Sequence, residues 1–128
     1  MSTFIPQGWH TVTLRLVARD PLKLIQFLKD AFAATGEYLE DRPTVVTIGD
    51  TMIMVSGVVT VISVAREPMP AFLYLYVGGT DETFRRAIDA GATVLEPPQD
   101  MPYGDRRAMV KDPFGNVWQI ATHLGPVR

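Results

Sequence analysis

The chain has 128 residues, 47% apolar and 20% charged, enough for one globular domain with a core of its own. Its formal charge of −2 provides no basic stripe to displace counterions from phosphates, so nucleic acid is excluded as a partner, and Arg85-Arg86 and Arg106-Arg107 read as solvated pairs. The absence of cysteine excludes a disulfide scaffold, a thiolate metal site and a thiol nucleophile. No apolar run approaches the roughly 20 residues that span a bilayer, and Arg15 and Arg19 interrupt the first apolar stretch, so the expectation is a cytoplasmic protein with no leader and no membrane partner.

After a short arm, Thr11–Val17 sets Thr, Thr and Arg against Val, Leu and Leu, the period of a half-buried strand. Asp20-Pro21 supplies a cap and a first-position proline, and Leu24, Phe27, Leu28, Ala31 and Phe32 form the apolar stripe of a helix over 21–33. Strands are predicted at 37–40, 44–48 and 51–56, the last two joined by a tight Gly49-Asp50 turn. The order then recurs. A strand at 71–77 precedes a helix capped by Thr80 or Asp81, carrying Phe84, Ala87 and Ile88 and ended by Gly91. A strand at 93–96 is closed by Pro97-Pro98, and 107–111 pairs with 117–122 across Asp112-Pro113-Phe114-Gly115-Asn116, a type I turn with a left-handed residue. The single domain, 1–128, thus divides into one module over about 9–57, an apolar connector over 58–70 and a second module over about 71–123. Val58–Ala65 is apolar enough to need a cover, from the other module or a second chain, and this favours a homodimer.

Two strand–helix–three-strand units ending in Tyr103-Gly104-Asp105-Arg106 and in Asp112-Pro113-Phe114-Gly115-Asn116-Val117-Trp118-Gln119-Ile120-Ala121-Thr122-His123 resemble the vicinal oxygen chelate superfamily. That group includes glyoxalase I, bleomycin-resistance proteins, fosfomycin-resistance enzymes and extradiol dioxygenases. The resemblance implies an α+β fold in which two βαβββ modules form an open, curved, mixed-sheet barrel around a cleft. Metal-using members carry four ligands there, and the matching positions in this chain are Thr13, Met54, Phe72 and Gln119. None is a histidine or carboxylate, so no metal and no cofactor is expected. His10 lies an odd number of residues from Thr13, hence on the other face of a continuous strand. His123 stands roughly 13 Å along a strand from Gln119. Both read as rim histidines rather than ligands, and no carboxylate is placed inside by alternation.

Alternation from those four positions predicts a ligand-binding face of Thr13, Arg15, Met52, Met54, Phe72, Tyr74, Tyr76, Met109, Gln119 and His123. Arg15 would meet a ligand acid, and the tyrosine hydroxyls would orient it. The alternative is a packed barrel interior with no cleft. Tyr103 would close the mouth with Arg106 or Asp105 touching a ligand, or else Asp105 would bond nearby backbone while Arg106 braces the loop. Trp118, opposite Gln119, reads as core. The function expected is binding of a small, apolar or aromatic organic molecule without metal. An enzyme of the same superfamily, with no assignable catalytic residue, and a regulatory role for the dimer surface are the alternatives.

Overall fold

The computed structural model describes residues 4–40, 42–57 and 69–125. Along them run β1 (Arg15–Ala18), α1 (Pro21–Phe32), β2 (Thr44–Ile48), β3 (Thr51–Gly57), β4 (Phe72–Tyr76), α2 (Thr80–Asp89), β5 (Thr93–Asp100), β6 (Asp105–Lys111) and β7 (Val117–His123). The strands form two open mixed sheets, β1-β3-β2 and β4-β7-β6-β5, and neither closes into a barrel. Each sheet has one parallel pair, β1 with β3 and β4 with β7, bridged in sequence by a helix that crosses over.

The helix α1 is fixed at both ends by its own residues. The Asp20 carboxylate accepts from the Lys23 N–H at 3.2 Å, Pro21 occupies the first turn, and Ala33 ends the helix in the left-handed region at φ 57°. Its stripe of Leu24, Ile25, Phe27, Leu28, Ala31 and Phe32 is buried. Phe32 meets Trp118 of β7 with ring centroids 4.7 Å apart, a contact worth about 1 kcal/mol beyond the area it buries. Trp118 is core, as its place opposite Gln119 implied, and one apolar cluster runs through both sheets and both helices.

Several elements differ from the sequence-based expectation. The strand at 37–40 does not form; an isolated bridge between Thr35 and Thr47 stands in its region. Gly36, at φ 145°, lies so close to β2 that an added Cβ would sit 2.5 Å from the Val45 carbonyl oxygen. The first strand starts at Arg15 rather than Thr11, so alternation does not extend back to Thr13 and His10. Gly79, not Thr80 or Asp81, caps α2, because the Thr80 hydroxyl is buried at 2.8 Å from the Arg106 carbonyl oxygen and 2.8 Å from the Thr122 hydroxyl. Finally, β5 continues through Pro97-Pro98 to Asp100. As an edge strand with two register shifts, it needs no ladder donor from either proline. The apolar segment 58–65 falls outside the described residues.

The β6–β7 turn is organised by Asp112, which is buried. Its Oδ1 accepts from the backbone N–H groups of Phe114 (2.8 Å) and Asn116 (3.1 Å); its Oδ2 accepts from Asn116 Nδ2 (3.0 Å) and Trp118 Nε1 (2.9 Å). Asn116 in turn accepts the Ala71 N–H at 2.8 Å, tying the start of β4 to the turn. Gly115 takes the left-handed position at φ 91°, as the turn type requires. Asp112→Ala strands the indole N–H and the Asn116 amide without an acceptor. It is expected to cost about 3 kcal/mol of stability, read as a lower urea midpoint at unchanged slope.

Candidate functional site

The second sheet has one covered and one open face. Along β4, Leu73 and Leu75 pack against the core cluster, while Phe72, Tyr74 and Tyr76 face outward and are 68%, 40% and 61% exposed. The register continues this face across the sheet. Phe72 pairs with Val117, Tyr74 with Gln119 and Tyr76 with Ala121; then Gln119 pairs with Met109 and His123 with Asp105. The aromatic row therefore runs beside Val117, Gln119 and Ala121, with Asp105 and His123 at one end.

At the end of this face, Asp105 gathers the donors. It is 5% exposed, and its Oδ2 accepts the hydroxyls of Tyr74 at 2.7 Å and Tyr76 at 3.0 Å. Its Oδ1 lies 3.0 Å from His123 Nδ1. The Tyr74 proton is committed to Asp105, so in the 3.4 Å contact between the Tyr74 and Tyr103 oxygens Tyr103 is the donor. Arg107 donates to the Tyr103 hydroxyl at 3.3 Å and pairs with Glu96 of β5 through its other terminal nitrogen. A chain of donors thus leads from Arg107 through Tyr103 and Tyr74 to one carboxylate. The Tyr74 hydroxyl, with help from His123, holds the Asp105 carboxyl below the ordinary carboxylate range. Burial first, then the contacts to Tyr103 and Asp105, pushes the Tyr74 phenol up, and the Asp105 bond raises Tyr76.

These positions correct the expectation for the Tyr103-Gly104-Asp105-Arg106 segment. Asp105 is a strand residue bonding three side chains, rather than a loop residue bonding backbone, so alternation does place a carboxylate on this face. His123 is not a bare rim histidine. Arg106 points the other way and does brace: its guanidinium meets Asp81 at 2.7 and 2.9 Å and Asp100 at 3.0 Å. Glu96 and Arg107 also belong to the face and escaped the sequence reading, Glu96 because the β5 register shifts hide its facing.

Of the other expected site residues, Arg15, Met52 and Met54 share a face of the first sheet. Arg15 pairs with Met54, and its Nε donates to the Ser56 hydroxyl at 2.7 Å. Thr13 precedes β1. With Met54 and, against the odd-spacing argument, His10, it lines a hollow of about 300 Å³ beneath the N-terminal arm. Strand pairing does not join this group to the aromatic row. Tyr74 and Tyr76 also line a larger cavity among the described residues, about 550 Å³, whose walls include Leu14, Phe32, Ile48, Ile53, Leu73 and Trp118.

The four positions that the resemblance matches to metal ligands, Thr13, Met54, Phe72 and Gln119, present a hydroxyl, a thioether, a phenyl ring and an amide. Among the described residues no three His, Cys, Asp or Glu side chains gather where they could share a cation. This donor set does not fit a divalent ion. No helix among the described residues is long and apolar enough to cross a membrane.

Two open mixed sheets with crossover helices define a class of paired-module α+β proteins. The chain belongs to the Glyoxalase/Bleomycin resistance protein/Dioxygenase superfamily, whose family model matches residues 10–120. Among solved structures it is similar to TioX from Micromonospora sp. ML1, with TM-score 0.75 and 25% identity over 90% of this chain and 99% of that one. A glyoxalase/bleomycin resistance protein/dioxygenase family enzyme from Burkholderia phytofirmans PsJN shares the fold, with TM-score 0.75 and 20% identity over 88% of this chain and 97% of that one. In sequence, 59 residues (46% of this chain) are 42% identical to the uncharacterized protein Mb0911c of Mycobacterium bovis. The match spans 37% of that relative's length, so the chain corresponds to well under half of it.

The two raised tyrosines differ in cause, and this gives a test. In an absorbance titration to alkaline pH, Tyr74 and Tyr76 are expected to ionise above the ordinary value of about 10. Asp105→Asn should return Tyr76 toward that value while Tyr74, raised first by burial, stays high. Raised phenols contribute stability that is present below their unfolded value and lost as pH rises through the folded one. The lowered Asp105 contributes stability that is present above the unfolded carboxylate value and lost as pH falls through its own.

Proposed function

We propose that this is a metal-free small-molecule-binding protein of the glyoxalase/bleomycin-resistance-like type, holding an apolar or aromatic organic ligand against the open face of the second sheet. One observation carries the reading: Phe72, Tyr74 and Tyr76 share one face of β4, with Phe72 and Tyr76 largely uncovered, while the same strand's other face is packed into the core. Exposed aromatic rows of this kind mark surfaces that bind. Two of the rings are held by hydroxyl bonds to Asp105, so little side-chain freedom is lost when a ring lies on them. Met109 and Gln119 extend the row with one soft and one polar contact.

A homodimer forms part of this reading, because Phe72 and Tyr76 lack a cover within the described residues and a second copy would supply the opposite wall. Arg15, Met52 and Met54 on the open face of the first sheet are the complementary surface we assign to that wall. Composition alone carries the expectation of a cytoplasmic setting.

The test uses binding to a panel of flat aromatic compounds, followed by ligand-observed magnetic resonance. Phe72→Ala and Tyr76→Ala are each expected to weaken the best binder about tenfold, roughly 1.4 kcal/mol; Phe72→Ala is expected to leave thermal unfolding within about 2 °C of the parent, whereas Tyr76→Ala, which also loses the Asp105 bond, lowers it by several degrees. Unchanged affinity in both variants would remove the aromatic row from the site. Incubation with zinc, nickel, manganese and ferrous iron, then desalting and elemental analysis, is expected to leave no near-stoichiometric metal. Retention of one ion per chain would overturn the metal-free part of the reading.

A further inference from the structure

The His123–Asp105 pair has a chemical consequence that aromatic binding alone does not require. Asp105 is ionised and can only accept, so the 3.0 Å contact needs the proton on His123 Nδ1. In the tautomer this contact selects, the lone pair lies on Nε2, and the His123 side chain is 61% exposed. Any positive charge gained at Nε2 is met by the carboxylate bonded to Nδ1, as in a base oriented by a third group. Tyr74 and Tyr76, whose rings pack 5.2 Å apart, bond the same carboxylate from the aromatic row.

Resting on the binding reading above, we infer that the open face is a proton-accepting site for acidic phenols, in which a ring lies on Tyr76, the aromatic residue whose register adjoins His123, and its hydroxyl proton passes to His123 Nε2. The ligand's O–H bond breaks, its electron pair stays on oxygen, and an N–H bond forms on the imidazole. The ligand is then held as a phenolate against an imidazolium backed by Asp105. No oxidant or further reactant is needed. The ligand class follows from matched acidities. A carboxylic acid has already lost its proton near neutral pH, an aliphatic alcohol holds its proton too tightly, and an activated phenol is acidic enough to hand its proton to a nitrogen base. The other titratable groups on this face are Tyr74 and Tyr76 of β4, Arg107 and Lys111 of β6, Glu96 of β5, and Tyr103 in the turn before β6. Glu96 offsets the Arg107 charge.

Two probes of nearly one shape test this: 4-nitrophenol, which changes colour on ionising, and 4-nitroanisole, which has no proton to give. Both are expected to bind, and bound nitrophenol is expected to ionise about one pH unit below its value in free solution. His123→Gln, at an exposed position, is expected to abolish that displacement. Nitroanisole binding while nitrophenol fails to bind, or ionises as it does free, overturns the proton transfer and leaves the aromatic-ligand reading intact. A displacement that survives His123→Gln also overturns the inference. Binding of neither probe overturns the inference and the aromatic-ligand reading together.

Discussion

A carboxylate buried in a tight turn has to find donors for its oxygens, and Asp112 finds them in groups that fix the sheet. Two are backbone N–H groups inside the turn, one is the Asn116 amide, and one is the indole of Trp118. Because Asn116 also holds the Ala71 N–H, the same few atoms set the hairpin β6–β7 and the parallel pair β4–β7. A slip of one residue in either pairing would turn every side chain on that strand to the other face. Phe72, Tyr74 and Tyr76 would then enter the core and Leu73 and Leu75 would meet solvent. The open aromatic face therefore depends on a turn whose residues do not themselves belong to it.

Where a local pattern determines the outcome, the sequence was readable. Helix α1 follows from Asp20, Pro21 and an apolar stripe, all short-range signals. The burial of Trp118 and the pairing of Met109 with Gln119 follow from the turn type and period-two alternation. Failures came where a distant partner decides. Thr80 has the chemistry of a cap, yet its hydroxyl is taken by Arg106 and Thr122, which are far away in the chain. Pro97-Pro98 would close a central strand, but β5 is an edge, a fact of topology rather than of local sequence.

Asp105 was within reach and was missed. Four residues back from Met109 and four on from Gln119, the hairpin register brings Asp105 opposite His123. Gly104, at φ 99°, reads as the middle of a loop when it is the last residue before the strand, and this hides the first two residues of β6. The first sheet shows the opposite error. Counting alternation back to Thr11 assumed a strand that begins only at Arg15, so the facing of Thr13 and His10 had no basis.

The β6–β7 hairpin therefore carries two buried carboxylates, one near each end, and their partners assign them different roles. Asp112 is surrounded by amide, backbone and indole N–H groups, none of which gives up a proton in the physiological range. Its charge is fixed, and its contribution is to geometry. Asp105 is surrounded by an imidazole and by two phenols that are themselves raised above their ordinary value, on a face left open. A purely structural carboxylate at that position would be better served by the donors Asp112 has. Placing two phenols and an imidazole around Asp105, beside an uncovered aromatic row, makes stability fall at both extremes of pH. That cost has a rationale if the face handles a ligand whose own proton is part of its recognition.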